Sequence, residues 1–157
     1  MTITLLAIGK TDEKDLISLI EHYKKRLGFY VKFTLEIIPD IKNAKKLSEK
    51  EQKIKEGDLI LNKIKKSDTL ILLDENGKQF DSVAFSSYLQ KYMNRGIKNL
   101  FFVIGGPYGF SSEVYQRAQG KISLSKMTFS HQMVRLFFIE QIYRGFTILK
   151  NEPYHHR

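Results

Sequence analysis

Cysteine is absent from the 157 residues. Disulfides and thiolate metal centres are therefore excluded. The four histidines show no ligand spacing, and no metal is expected. No apolar run approaches the length of a membrane span. The opening "MTITLLAIGK" lacks the basic start and long apolar core of a signal peptide, so a cytoplasmic location without membrane contact is expected. There is no Gly-x-Ser-x-Gly elbow and no clustered Asp/Glu set, and the glycine loop Gly105–Gly109 is not followed by the Gly-Lys-Ser/Thr of a phosphate loop. Serine hydrolases, two-metal nucleases and P-loop enzymes lose support with them. Acidic residues are also short, 17 against 26 lysines and arginines, giving a net charge of +9. In a globular chain that balance points to a polyanionic partner, nucleic acid ahead of membrane. A lysine-rich proteome is the competing explanation.

What is present reads as β and α segments in alternation. "ITLLAIG" (Ile3–Gly9) has the continuous apolar character of a buried strand. Asp12–Leu27 has helical spacing, and Tyr30–Ile38 alternates with period two before Pro39. A lysine- and glutamate-rich segment follows over roughly Ala44–Ile64, and the charged stretch Lys42–Glu56 reads as a solvated helix or a mobile basic arm. Thr69–Asp74 is a strand with "ENGK" as its turn, and Asp81–Arg95 is a helix capped by Asp81 or Ser82. "NLFFVIGG" and "KISLS" are further strands, with a short helix Ser111–Gln119 between them. His131–Leu149 is the last helix. The pattern predicts one α/β domain over residues 1–157, a mostly parallel sheet with helices on both faces.

In such a sheet, ligands bind beyond the carboxyl ends of the strands. That rule selects three loops: after Asp74, after Gly106, and from Ser123 to His131. Gly105-Gly106-Pro107-Tyr108-Gly109 fits no dinucleotide fingerprint and reads equally as a tight turn or a ligand cradle. "SLSKMTFSH" combines hydroxyls and a lysine with Leu124, Met127 and Phe129. It reads as a strand running into a capped helix, or as a loop that grips a heterocycle.

The last helix places His131 and Arg135 on one face. It is otherwise apolar nearly all round, which predicts burial on more than one side and a homodimer. The tail "NEPYHHR" puts Tyr154, His155, His156 and Arg157 together. It is a frayed end or, with stacking, proton transfer and phosphate contact in four residues, an RNA contact.

"VIGGPYG", "SLSKMTFSHQMVR", "IEQIYR" and the terminal "PYHHR", in this order, resemble the RlmH family of SPOUT methyltransferases. "LLAIGK" and "HYKKRL" extend the resemblance to the whole chain. It implies an α/β fold with a deep C-terminal trefoil knot, a homodimer, and S-adenosylmethionine as cofactor. It also implies methylation of N3 of a pseudouridine in 23S rRNA on assembled ribosomes. Cofactor contacts would fall on Leu73, Gly105, Gly106, Ser125, Lys126, Met127, Thr128, Phe129 and Ser130. Family members commonly carry proline in place of Ser130, a departure expected to loosen that loop. The catalytic candidates are His131 and His155 for substrate handling or proton removal, with Arg135, Arg144 and Tyr154 positioning phosphate or base. Lys24-Lys25-Arg26 and Lys63, Lys65, Lys66 are expected to meet RNA. A SPOUT enzyme for another rRNA or tRNA position, or an idle ribosome-binding factor on the same fold, are the alternatives.

Overall fold

The structure, a computed structural model, describes residues 1–156. Five strands form one parallel sheet: β1 (Thr2–Ile8), β2 (Lys32–Ile38), β3 (Thr69–Gln79), β4 (Asn99–Ile104) and β5 (Gly120–Ser123). Their spatial order is β2-β1-β4-β3-β5. The helices are α1 (Lys14–Leu27), α2 (Glu49–Leu61), α3 (Ser82–Asn94), α4 (Ser112–Arg117) and α5 (His131–Leu149).

The apolar runs are continuous because the sheet is buried on both faces. Ile3, Leu5 and Ala7 of β1 enter one core, with Leu100 and Phe102 of β4 and the inner faces of α1, α3 and α5. Leu6 and Ile8 enter the other, with Leu70, Leu72, Val103 and Ile60 of α2 and Val114 of α4. Opposite-facing neighbours along each strand thus serve two separate cores.

Three features depart from the pattern. The "ENGK" turn is absorbed into β3. Leu73 and Lys78 both pair with Ile122, so residues 74–77 bulge out and the strand then resumes against β5. Such long-range parallel pairing leaves no local signature.

The charged stretch is not merely a solvated helix. After a single 3-10 turn (Ala44–Lys46), Ser48 and Glu51 form a reciprocal capping box. The helix it starts then buries Glu56, Gly57 and Ile60.

The apolar circumference of α5 is covered largely by its own chain, with α1 and α3 packed on its flanks. A partner subunit is therefore not needed to explain its composition. Phe137 remains 38% exposed, edge-to-face with Phe129.

Among the described residues, no helix is long and apolar enough to cross a membrane. No group of three His, Asp or Glu there is arranged to hold a metal.

Candidate active site

The parallel strands deliver their carboxyl ends to one edge of the sheet. There the β3 bulge and the loops after β4 and β5 enclose a cavity of about 430 Å³, within the usual size of small-molecule sites. Leu73, Gly105, Gly106, Ser125, Lys126, Met127, Thr128 and Phe129 all line it. Ser130 does not. It caps α5 instead, its hydroxyl accepting from the Met133 amide at 3.2 Å. That cap restrains the entry to α5, against the loosening expected of a serine at this position.

Each wall has a local cause. The β5–α5 loop folds on itself: the Ser123 hydroxyl donates to the Ser125 carbonyl at 2.8 Å, and the Met127 amide to Ser125 Oγ at 2.9 Å. On the opposite rim the Asn76 amide donates to Asp74 Oδ1 at 2.8 Å. The Tyr115 hydroxyl donates to Asp74 Oδ2, tying the β3 bulge to α4. Burial first, and then the Asp74 carboxylate, push that phenol up to about 12.

The glycines are explained by protein packing. A Cβ on Gly105 would stand 3.0 Å from the Phe110 ring. A Cβ on Gly106 would stand 2.2 Å from Glu56 Oε2. Only Gly109, at φ +80°, needs glycine for its backbone conformation. Glu56 therefore occupies the place of the side chain that Gly106 lacks. Next to it Gly57 packs on Ser111, the N-cap of α4. The α2 segment is thus wedged beneath the glycine loop. Sequence reasoning missed this pair, although a glycine inside a helix was a usable signal of close approach.

The catalytic candidates do not converge. His131 opens α5 and lines the cavity. Arg135 is 1% exposed and turned inward. Its Nη1 donates to Thr11 Oγ1 at 2.7 Å and its Nη2 to the Ile8 carbonyl at 2.8 Å. Burial lowers its pKa, opposed by the Asp40 and Asp12 charges. It binds α5 to the end of β1 and is not free to hold a phosphate. Gln132 works beside it, its Oε1 accepting from the amides of Asp12 at 2.9 Å and Glu13 at 3.2 Å. This supplies the cap that the start of α1 otherwise lacks.

Tyr154 and His155 lie elsewhere, where the tail folds back along α5. Tyr154 donates to Glu140 at 2.9 Å, and its oxygen is 3.2 Å from that of Tyr23. Arg144 stacks on its ring at 4.6 Å and is ion-paired to Glu140 at 2.6 Å. His155 Nδ1 is 3.5 Å from Arg144 Nη1. Burial, followed by the bonds to Tyr23 and Glu140, raises the Tyr154 phenol. His131 and Arg144 are 13 positions apart on one helix, so the two groups are separated by about 20 Å along the axis. The last residue of the motif, Arg157, lies outside the described residues.

The basic clusters are partly engaged. Arg26 donates to the Tyr143 hydroxyl at 2.6 Å and stacks over that ring at 4.5 Å. Lys24 pairs with Glu21 at 2.6 Å and Lys63 with Glu36 at 2.7 Å. Lys25, Lys65 and Lys66 are exposed.

Residues 1–155 match the family model described as "Predicted SPOUT methyltransferase". Two proteins named "Ribosomal RNA large subunit methyltransferase H" are similar over the full length of both chains: that of Flavobacterium psychrophilum at 73% identity and that of Flavobacterium johnsoniae at 71%. The protein of that name from Parabacteroides distasonis is 61% identical over 99% of each chain. A knotted C-terminal topology is the fold of this family. With a match from the first strand to the tail, the chain belongs to the SPOUT methyltransferase family.

Proposed function

We propose that this chain methylates N3 of a pseudouridine in 23S rRNA, with S-adenosylmethionine as donor, the assembled ribosome as substrate and the cytoplasm as its place of work. Family membership and the named relatives support methyl transfer to large-subunit rRNA. The observation that carries the finer reading is the convergence of the β3 bulge and the loops after β4 and β5 on one cavity of about 430 Å³.

The residues present suit such a donor. Leu73, Ile104, Ile122, Leu124 and Val134 offer apolar walls for a purine ring. The backbone of the glycine loop and of residues 125–128 offers amides and carbonyls for its edge. A diphosphate cradle is missing, in keeping with a ligand that carries no phosphate. When bound, the donor supplies an electrophilic methyl group on a positively charged sulfur.

The chain's own task is to hold the base beside the cavity in a near-attack geometry and to accept the N3 proton. His131 lines the cavity and is assigned that contact; an imidazole is suited to move a proton near neutral pH. Arg135 is assigned a positioning role, since it fixes the first turns of α5 on which His131 stands. Tyr154, His155 and Arg144 are assigned to RNA. Because they are remote from the cavity of their own chain, a homodimer is part of the proposal. The exposed edge of Phe129, Phe137 and Met127 beside the cavity mouth supports a contact between copies. Lys25, Lys65 and Lys66 add non-specific attraction to the RNA backbone.

The test is transfer of labelled methyl from S-adenosylmethionine to ribosomes lacking the modification, with the nucleotide mapped by mass spectrometry. One methyl group on N3 of one pseudouridine is expected. Label on another nucleotide would exclude the site assignment, and binding without transfer would exclude catalysis. His131→Ala should reduce transfer at least a hundredfold. Ribosome binding should weaken steeply with salt, and an affinity flat across salt would exclude the phosphate contacts.

A further inference from the structure

Among the described residues, two buried side-chain polar atoms have no hydrogen-bond partner: Arg135 Nε and Glu56 Oε2. The first belongs to a guanidinium otherwise well bonded. The second belongs to a carboxyl group only 3% exposed, in a helix that is mostly charged and solvated. Its other oxygen accepts from Gln52 Nε2 at 2.8 Å. No salt bridge reaches it among the described residues.

The placement is specific. Glu56 does not line the cavity, but Gly106 does, and a Cβ on Gly106 would collide with the Glu56 carboxyl at 2.2–2.6 Å. One glycine residue therefore separates this carboxyl from the space in which the methyl donor is proposed to lie. Building on that reading, we propose that Glu56 is the counter-charge of a cationic methyl donor. It gives up its proton to solvent when the sulfonium binds and takes one back once the methyl has left, so that the site prefers donor over spent product.

The electrostatics follow from the surroundings. Burial holds the Glu56 carboxyl above the usual carboxylate range, Gln52 works against this, and the negative charge of Asp40 beyond β2 adds to it. Arg135, on α5, faces Asp40 and Asp12. The charged and titratable groups on the cavity side are Asp74, Glu75, Lys126 and His131. With no cation paired to it, the buried carboxyl is shifted toward its protonated form. A sulfonium on the far side of Gly106 favours the ionised form. The demethylated thioether is neutral at sulfur and does not. At an effective dielectric near 20 and a separation of roughly 10 Å, the preference is on the order of tenfold.

The test is calorimetric titration of the full chain with S-adenosylmethionine and with S-adenosylhomocysteine, in buffers of different ionisation heat, across pH. Between the carboxyl's pKa with donor bound and its higher pKa with product bound, the donor should release up to about half a proton more than the product does. The shared amino-acid portion cancels in that difference. In Glu56→Gln the extra proton release should disappear, and above the carboxyl's folded pKa the donor-to-product affinity ratio should fall about tenfold. Gln keeps the shape and the Gln52 contact, so a merely structural Glu56 would leave both readouts unmoved. Equal proton release for both ligands in the unsubstituted chain overturns the proposal without recourse to any variant. An extra proton that survives in Glu56→Gln overturns it as well. Absence of binding by either ligand instead removes the donor reading on which it rests.

Discussion

Gly77 lies in the β3 bulge, pressed on the backbone of β5. A Cβ there would stand 2.4 Å from the Ile122 carbonyl carbon, 2.6 Å from its amide nitrogen and 2.7 Å from the Ser123 nitrogen. Ordinary contact begins about 1 Å further out. All three neighbours are main-chain atoms, so no rotamer change relieves Gly77→Ala; one strand must move off the other. β5 has four residues, and β3 is its only partner in the sheet. Separation threatens the pairings Lys78↔Ile122 and Gln79↔Ser123. Two or three ladder bonds at about 1 kcal/mol each, with about 1–3 kcal/mol for overpacking, place the cost at about 3–6 kcal/mol. That is a large part of the 5–15 kcal/mol typical of a whole domain. Urea unfolding followed by circular dichroism measures it, with Gly120→Ala as control. At Gly120 a Cβ meets Ile71 Cδ1 at 3.4 Å, an ordinary contact, and a gain of about 0.5–1 kcal/mol is expected. A Gly77→Ala midpoint equivalent to less than about 1 kcal/mol of loss would refute the reasoning, because close main-chain contact would then carry no cost.

Three further outcomes are expected. Gly106→Ala should cost about 2 kcal/mol through displacement of the buried Glu56 carboxyl and loss of its Gln52 bond; in a Glu56→Ala background that cost should fall below about 1 kcal/mol, and strict additivity in the double-mutant cycle refutes the contact. Glu56 is raised in the fold, so the folded state holds its proton more tightly than the unfolded chain. Its contribution to stability is complete below the unfolded carboxylate value and is lost as pH rises through the folded one; urea midpoints from pH 4 upward should show this decline, flattened in Glu56→Gln. Ser130→Ala should lose about 1 kcal/mol of stability with its cap to the Met133 amide, and an unchanged thermal midpoint would show that the hydroxyl does not hold the helix start.

The sheet was legible because burial on both faces leaves its mark directly on the strands. Runs such as "TLLAI" and "LFFVI" have no polar alternation and fit no surface strand. Once the strands were placed, the edge rule found the cavity, since all carboxyl ends of a parallel sheet meet on one side. The β3 bulge was not legible. "DENGK" has turn composition, and only the distant β5 makes its last residues a strand. Glu56 was hidden for a similar reason. In a segment dense with lysine and glutamate, composition does not tell the one buried carboxyl from its solvated neighbours; the glycine loop facing it does.

The distribution of the candidate residues now constrains how a site could be assembled. His131 is at the cavity, while the tail reaches back along α5 only to Glu140, nine residues further on. That leaves roughly 13 Å of helix between them. The tail is also held there by a connected set of contacts: Tyr154 with Glu140 and Tyr23, and Arg144 with Glu140. Moving it to its own cavity would break that set and uncover the buried face of Tyr143, against which Tyr154 packs at 4.8 Å. A tail docked in this way is a rigid projection of the far side of the domain. It can serve RNA that extends beyond the target nucleotide, or a cavity on a second copy of the chain, without undocking. Under the proposed function, the arrangement that leaves every observed contact intact splits the work: each chain would supply its own cavity loops and His131, and the tail would act on what lies across the surface from them.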